Sequence, residues 1–399
     1  MAKIGTITFL ALIWLTANLA GTAVLAADES PESVPGLVPA GVKSLEGGWK
    51  EWTGITGGIF HHELITSLSI DGVGDLWVGT SRGRVLTRSG TVWQIQARLD
   101  AQVTAVAVET PSRVWFSTSD GIRRLDRVKT NSWRVTAFRI YYQGESGLVS
   151  GGYSPGLDAE RLWGYVDGIY IPPRKKTYAP FVISTEHGLF SWAGFYEVWH
   201  HFLPHYWGAN SAWLDTRDLL PHRRPTCMVE DGAANLWVGT DGDGIVCLTA
   251  HARDYAARSP GDNARDGTEF RSFGTNELGC DFTSVADLSP SADPQMVWAI
   301  LNLRDGPSHV GRFDGKKWTN LPLEPEAHCV AEVKPGVALV GTDRGLFRVS
   351  FSAKTVKKVR EFESDELVDV SIRRIVVGPD GSVLCTSWPA LFERSQAPD

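Results

Sequence analysis

A short β-rich pattern recurs seven times along this chain of 399 residues, and the recurrence limits its possible folds more than any other feature. The copies read LWVGT at 76–80, VWFST at 114–118, FVIST at 181–185, LWVGT at 236–240, VWAIL at 297–301, ALVGT at 338–342 and VLCTS at 383–387. The fullest unit, 65–96, has an alternating strand, a turn at Asp71-Gly72, the repeated strand, a turn carrying Gly83, and two further β-rich runs. Four short strands joined by hairpins make a meander that cannot cover both of its faces alone. Copies must therefore stack, and radial stacking gives a propeller. Turn residues recur after each repeated strand, as in Ser81-Arg82-Gly83, Ser119-Asp120-Gly121, Glu186-His187-Gly188, Asp241-Gly242-Asp243-Gly244 and Asp343-Arg344-Gly345. Trp93, Trp133, Trp199 and Trp318 fall on the fourth strand of their units, where packing between neighbouring blades explains them. The last unit offers strands at 371–377, 382–387 and 390–394 but no fourth, and Trp49–Thr53 reads as a lone strand able to supply it. The expected fold is all-β: a seven-bladed β-propeller of four-stranded antiparallel blades over 49–399, its ring closed by an N-terminal strand. LWGYVDGIY at 162–170 is expected as the inner strand of the third blade.

Residues 1–26 carry Lys3, an apolar stretch over 7–20 broken by Thr16 and Asn18, and a small-residue end at Val24, Leu25 and Ala26. This reads as a signal peptide cut near Ala26 or Ala27, because the apolar run falls short of the roughly 20 residues that span a bilayer. Residues 27–48, with Pro31, Pro35 and Pro39, are expected to be a flexible linker. The mature protein is thus expected in the periplasm or outside the cell, with no membrane span after cleavage. A net charge of −7 argues against a nucleic-acid partner. The cysteines at 227, 247, 280, 329 and 385 are odd in number and form no CxxC; four fall in expected strands, where a small buried side chain is favoured over a bridge.

The unit of a serine and an isoleucine before Asp-x-x-Gly, followed by Leu-Trp-Val-Gly-Thr and a Gly-containing turn, resembles the two-component regulator propeller repeats. The matches are 69–80, 228–240 and 340–347. The resemblance implies an exported sensor-like domain or a free-standing exported propeller. It also implies a separate signalling protein as a partner, since no kinase or DNA-binding segment follows in this sequence.

Reaction chemistry is hard to find. The sequence has no GxSxG, no phosphate-binding Gly-rich loop and no HExxH. His61-His62-Glu63 has Thr66 where a zinc motif needs its second histidine. Asp241 and Asp243 alternate like part of a calcium loop but sit where other repeats have a short turn. His200, His201 and His205, with His187 or His222, could gather round a metal, although Pro204 argues against one helix presenting them. The turn and loop readings are preferred throughout, so no catalytic residue, metal or cofactor is expected. The stronger signal is that eight of the nine tyrosines lie between 141 and 206. In a meander the links after second and fourth strands emerge on one face. That face is expected to carry Tyr141, Tyr142, Tyr153, Tyr206, Trp207 and Trp213 with His187 and His205, joined by Asp241, Asp243 and Arg344 in the turns. Flat aromatics beside hydrogen-bonding groups suit a glycan, peptide or protein ligand. The leading expectation is a non-catalytic ligand-binding or protein-interaction propeller. The alternative is a propeller enzyme, a lyase or hydrolase, working in the central funnel with His187, Asp241, Asp243, Asp343 and Arg344.

Overall fold

Three of the repeated strands are held in place by an acid six residues before their tryptophan. In the computed structural model Asp71 accepts hydrogen bonds from the amides of Val73 and Asp75 and from the Trp77 indole, so one carboxylate folds the hairpin and anchors the ring beside it. Asp231 does the same for Ala233, Asn235 and Trp237, and Glu109 takes the Trp115 indole. At the other end, the threonine closing the strand fastens the next turn. Thr118, Thr240 and Thr342 donate their hydroxyls to the carbonyls of Gly121, Gly244 and Gly345, and Thr80 accepts from the amide of Arg84. Gly83 adopts φ +76, and a Cβ there would meet the Leu99 carbonyl oxygen at 2.1 Å, so no other residue fits this turn.

The structure describes residues 37–38, 41–53, 63–129, 132–138, 166–170, 181–185, 188–193, 198–201, 225–249, 270–359, 370–387 and 390–396. Their strands fall into seven antiparallel sheets. From the inner to the outer strand, the first is Ile65–Ile70, Leu76–Thr80, Arg84–Ser89 and Val92–Arg98, and the second is Val103–Thr110, Arg113–Thr118, Gly121–Lys129 and Ser132–Phe138. The third is Val166–Tyr170, Phe181–Thr185, Gly188–Ala193 and Val198–His201; the fourth is Pro225–Glu230, Leu236–Thr240, Ile245–Leu248 and Phe270–Phe273. The fifth is Phe282–Pro290, Val297–Leu303, Ser308–Phe313 and Trp318–Leu323; the sixth is Ala327–Lys334, Val337–Thr342, Gly345–Ser350 and Thr355–Lys358. The seventh is Arg374–Val377, Val383–Thr386 and Leu391–Arg394, completed on the outside by Trp49–Thr53. Inner strands touch in succession, first to second and so on, and the seventh returns to the first. The arrangement is a β-propeller, and Val166–Tyr170, within the stretch the sequence placed there, forms the inner strand of the third sheet.

The apolar cores lie between sheets. Trp77 of the first sheet meets Trp133 on the outer strand of the second edge to face, and Trp237 of the fourth packs on Phe313 and Trp318 of the fifth. All five cysteines are free. Burial pushes the thiols of Cys227 and Cys247 up to about 12, so these side chains behave as small apolar groups.

Part of the expected flexible linker is ordered. Leu37–Val38 adds a fifth strand outside Val92–Arg98, and Gly41–Ser44 does so outside Trp49–Thr53. An outer strand presents a row of unpaired amides and carbonyls, and a passing segment pairs with them despite its prolines. Trp49–Thr53 pairs with Leu391–Arg394, which closes the ring. Across the closing seam Glu393 takes both terminal nitrogens of Arg88 and the Trp52 indole, while the guanidinium lies 4.8 Å from the Trp52 ring centre. Burial works against the charge of Glu393, yet Arg88 and Trp52 hold its carboxyl below the usual range.

Candidate functional site

The inner strands share an irregularity that builds the mouth of the central channel. In six of the seven described inner strands the register slips by one residue opposite the end of the second strand, leaving Thr66, Thr104, Asp167, Thr226, Ala286 and His328 unpaired in the ladder. Bulges of this kind re-aim a side chain. In the seventh sheet Arg373 stands at the matching place, its amide bonded to the Thr386 carbonyl.

The next residues inward are Ser67, Ala105, Gly168, Cys227, Asp287, Cys329 and Arg374. Opposite three of them the second strand has glycine, because a Cβ at Gly79, Gly239 or Gly341 would sit 2.5 Å from the Ser67 hydroxyl or from the Cys227 or Cys329 sulfur. Several of these residues reach the open edge of the following inner strand. Cys227 points its sulfur at the Val285 carbonyl, Asp287 accepts from the Val330 amide at 2.9 Å, Cys329 points at the Ile372 carbonyl, and the Nε of Arg374 approaches the Thr66 carbonyl at 3.4 Å. The ring of polar side chains thus serves backbone groups that no sheet ladder pairs. Asp287 is enclosed by neighbouring strands, and burial pushes its carboxyl up to about 6 against the opposing attraction of Arg374.

At the mouth, the sixth and seventh sheets bring four polar residues together. His328 Nε2 lies 2.8 Å from Asp343 Oδ1, Arg373 approaches both His328 Nδ1 at 3.1 Å and Asp343 at 3.2 Å, and the Ser371 hydroxyl donates to Asp343. Since Arg373 can only donate, Nδ1 accepts and Nε2–H donates to the carboxylate. Burial opposes the charge on Asp343, but His328, Ser371 and Arg373 together hold its carboxyl below the usual range. Both imidazole nitrogens are engaged within the cluster.

Beside this cluster lies an open polar cleft of about 780 Å³, lined among others by Thr283, Asn302, Ser308, Glu324 and Glu326. The amide of Asp343 bonds to the Glu326 carbonyl, so cleft and cluster adjoin. Glu324 and Glu326 are exposed and have no ion pair among the described residues. Arg344 is exposed in the same turn as Asp343. The face is therefore acidic at the fifth and sixth sheets and basic around Arg344, Arg373 and Arg374.

Of the residues singled out from the sequence, Arg344 and Asp343 join this site. Asp241 and Asp243 are exposed in the turn between the second and third strands of the fourth sheet, where the Asp243 amide donates to Thr240. The described residues hold no group of His, Cys, Asp and Glu fit for a metal ion. Tyr141, Tyr142, Tyr153, His187, His205, Tyr206, Trp207 and Trp213 lie outside the described residues, as do His61 and His62, while the side chains of His200 and His201 are not described. Sequence reasoning missed His328, Ser371, Arg373, Asp287, Glu324 and Glu326. A signal for three of them existed: Asp287 falls at the step of Cys329, the partner of Gly341, and His328 and Arg373 fall one step earlier in their units.

Fold and site define a β-propeller with a charged channel mouth. No family model matches the chain, and no curated protein matches it. Among solved structures it is similar to the extracellular domain of BT3049 from B. thetaiotaomicron, described as a hybrid two component system, at 13% identity and a TM-score of 0.55, covering 84% of this chain and 40% of that one. It is similar to a streptogramin B lyase at 12% identity and a TM-score of 0.52, covering 82% and 92%. It is also similar to YCF48 bound to D1 peptide, at 12% identity and a TM-score of 0.54, covering 89% and 99%. Identities this low show the shared fold. No helix among the described residues is long and apolar enough to cross a membrane.

Proposed function

We propose that this chain is an exported, non-catalytic binding propeller whose ligand is a polypeptide segment seated on the channel mouth. The carrying observation is the two-signed face: unpaired Glu324 and Glu326 in the cleft on one side, and Arg344 and Arg373 on the other. A peptide offers both charges and a run of amide donors and acceptors, which the Thr283 hydroxyl oxygen as an acceptor and the side-chain amide of Asn302 as a donor suit. The solved YCF48 complex is of a propeller of this fold with a peptide, and the BT3049 domain is extracellular; both accord with this reading. A separate signalling protein would be one source of such a segment.

The test is selection from a displayed random-peptide library against the processed protein. Selected peptides should carry a basic residue, and the double variant Glu324→Gln, Glu326→Gln should weaken them at least tenfold with an unchanged melting temperature, as expected for charge-assisted contacts worth roughly 1.5–3 kcal/mol. Failure to select peptides, or equal binding by the double variant, would refute the reading. Export is checked separately: protein recovered outside the cytoplasm should begin near Ala27, and a product still starting at Met1 would refute cleavage.

A further inference from the structure

The seam between the seventh and first sheets holds polar groups that the fold leaves unused. Arg374 is exposed at the channel, and its Nε approaches the Thr66 carbonyl at 3.4 Å. Its terminal nitrogens make no bond among the described residues, and Asp287 attracts it without forming an ion pair. Directly opposite Arg374 in the ladder stands Thr386, 1% exposed, with a hydroxyl that has no partner among the described residues. Paired residues in a ladder point to the same face of the sheet, so this hydroxyl belongs to the side that Arg374 occupies. Thr66, across the seam, also has a buried hydroxyl without a partner among the described residues. In the first, second, fourth and sixth sheets the threonine ending the second strand spends its oxygen on the following turn; Thr386 lies one step earlier, where the first, fourth and sixth sheets have glycine.

Buried hydroxyls are seldom left without partners, and an arginine with its fork unused matches the two oxygens of a planar anion. We infer that Arg374, with the hydroxyls of Thr66 and Thr386, forms the seat for a carboxylate of the ligand. The inference deepens the polypeptide reading above, on which it rests, by naming the group that enters the channel. A peptide has two sources of that group, its C-terminus and an acidic side chain. Arg373 and Arg344 lie outside the seat and draw an anion towards it, whereas Glu324 and Glu326 across the mouth repel it and fix the ligand's direction.

The test titrates the processed protein with N-acetyl-alanyl-alanine, its C-terminal amide, and N-acetyl-aspartate amide, following binding by ligand-observed NMR. At least one free acid should bind saturably, with the dipeptide amide about tenfold weaker or worse, and which acid binds better identifies the source. Arg374→Gln should remove the preference for acid over amide. Thr386→Val keeps the side chain's shape and charge and should weaken the acid about threefold or more; it serves even if Arg374→Gln does not fold. No saturable binding of either acid, equal binding of acid and amide, or unchanged acid binding by Thr386→Val would overturn the seat. Library peptides that bind equally well when amidated and stripped of acidic residues would sink the seat alone. A positive acid titration with no selectable peptide would sink only the polypeptide reading.

Discussion

Asp287 carries its charge at a cost to the folded state. Burial raises its carboxyl to about 6 from an ordinary value of 3.8, so the folded protein resists ionising it more than the unfolded chain does. The sign follows: stability associated with this group is whole below the ordinary value and is lost as the pH rises through about 6. Asparagine keeps an oxygen for the Val330 amide without the charge. Asp287→Asn should therefore stabilise the protein by about 1–2 kcal/mol near pH 7.5 and by almost nothing near pH 4, the full electrostatic penalty being discounted for solvent screening. Urea midpoints at the two pH values check this, and an equal gain at both would refute it. The opposite result is expected at Asp231, which serves two amides and the Trp237 indole. Asp231→Ala leaves those donors buried without an acceptor and should cost about 2–3 kcal/mol, read from the same midpoints.

Among the elements, the outer strand Trp49–Thr53 does the most with the fewest residues. Deleting 1–48 removes the two added edge strands and should leave a cooperatively melting protein, whereas deleting 1–54 strips the outer partner from Leu391–Arg394 and takes Trp52 from the seam. The longer deletion should melt far lower or fail to fold; equal melting temperatures would refute closure by this strand. Within the seam, Glu393→Gln breaks a partly buried ion pair that also holds the Trp52 indole, and should cost about 2–4 kcal/mol, with most of the loss absent in an Arg88→Met background. The closing strand was legible in the sequence because Trp49 repeats the outer-strand tryptophan of other units and the last unit lacks its own. The two added edge strands were not, since pairing with an edge asks little of side chains and 37–44 show no alternation.

At the scale of the molecule, the repeats announced the propeller because every unit must bury both faces against its neighbours, and that demand is written in Leu-Trp-Val, in the acid six residues before the tryptophan, and in the threonine at the strand's end. The channel mouth was hidden for the opposite reason. Several of its residues occupy a bulge position whose occupant differs from sheet to sheet, threonine in three and aspartate, alanine, histidine and arginine once each, so no single residue type marks it. Histidine was sought in clusters along the chain, whereas His328 meets Arg373 only because two sheets lie side by side. The closing contact has a further consequence. Trp52 and Glu393 are separated by 341 positions, and the buried faces of the first and seventh sheets have nothing to cover them until both have been made. A chain interrupted before Leu391 would hold an open arc with Trp93 and Leu384 laid bare, a form that proteases and chaperones recognise. Ring closure thus acts as a check on length, letting finished chains resist degradation and leaving unfinished ones open to it.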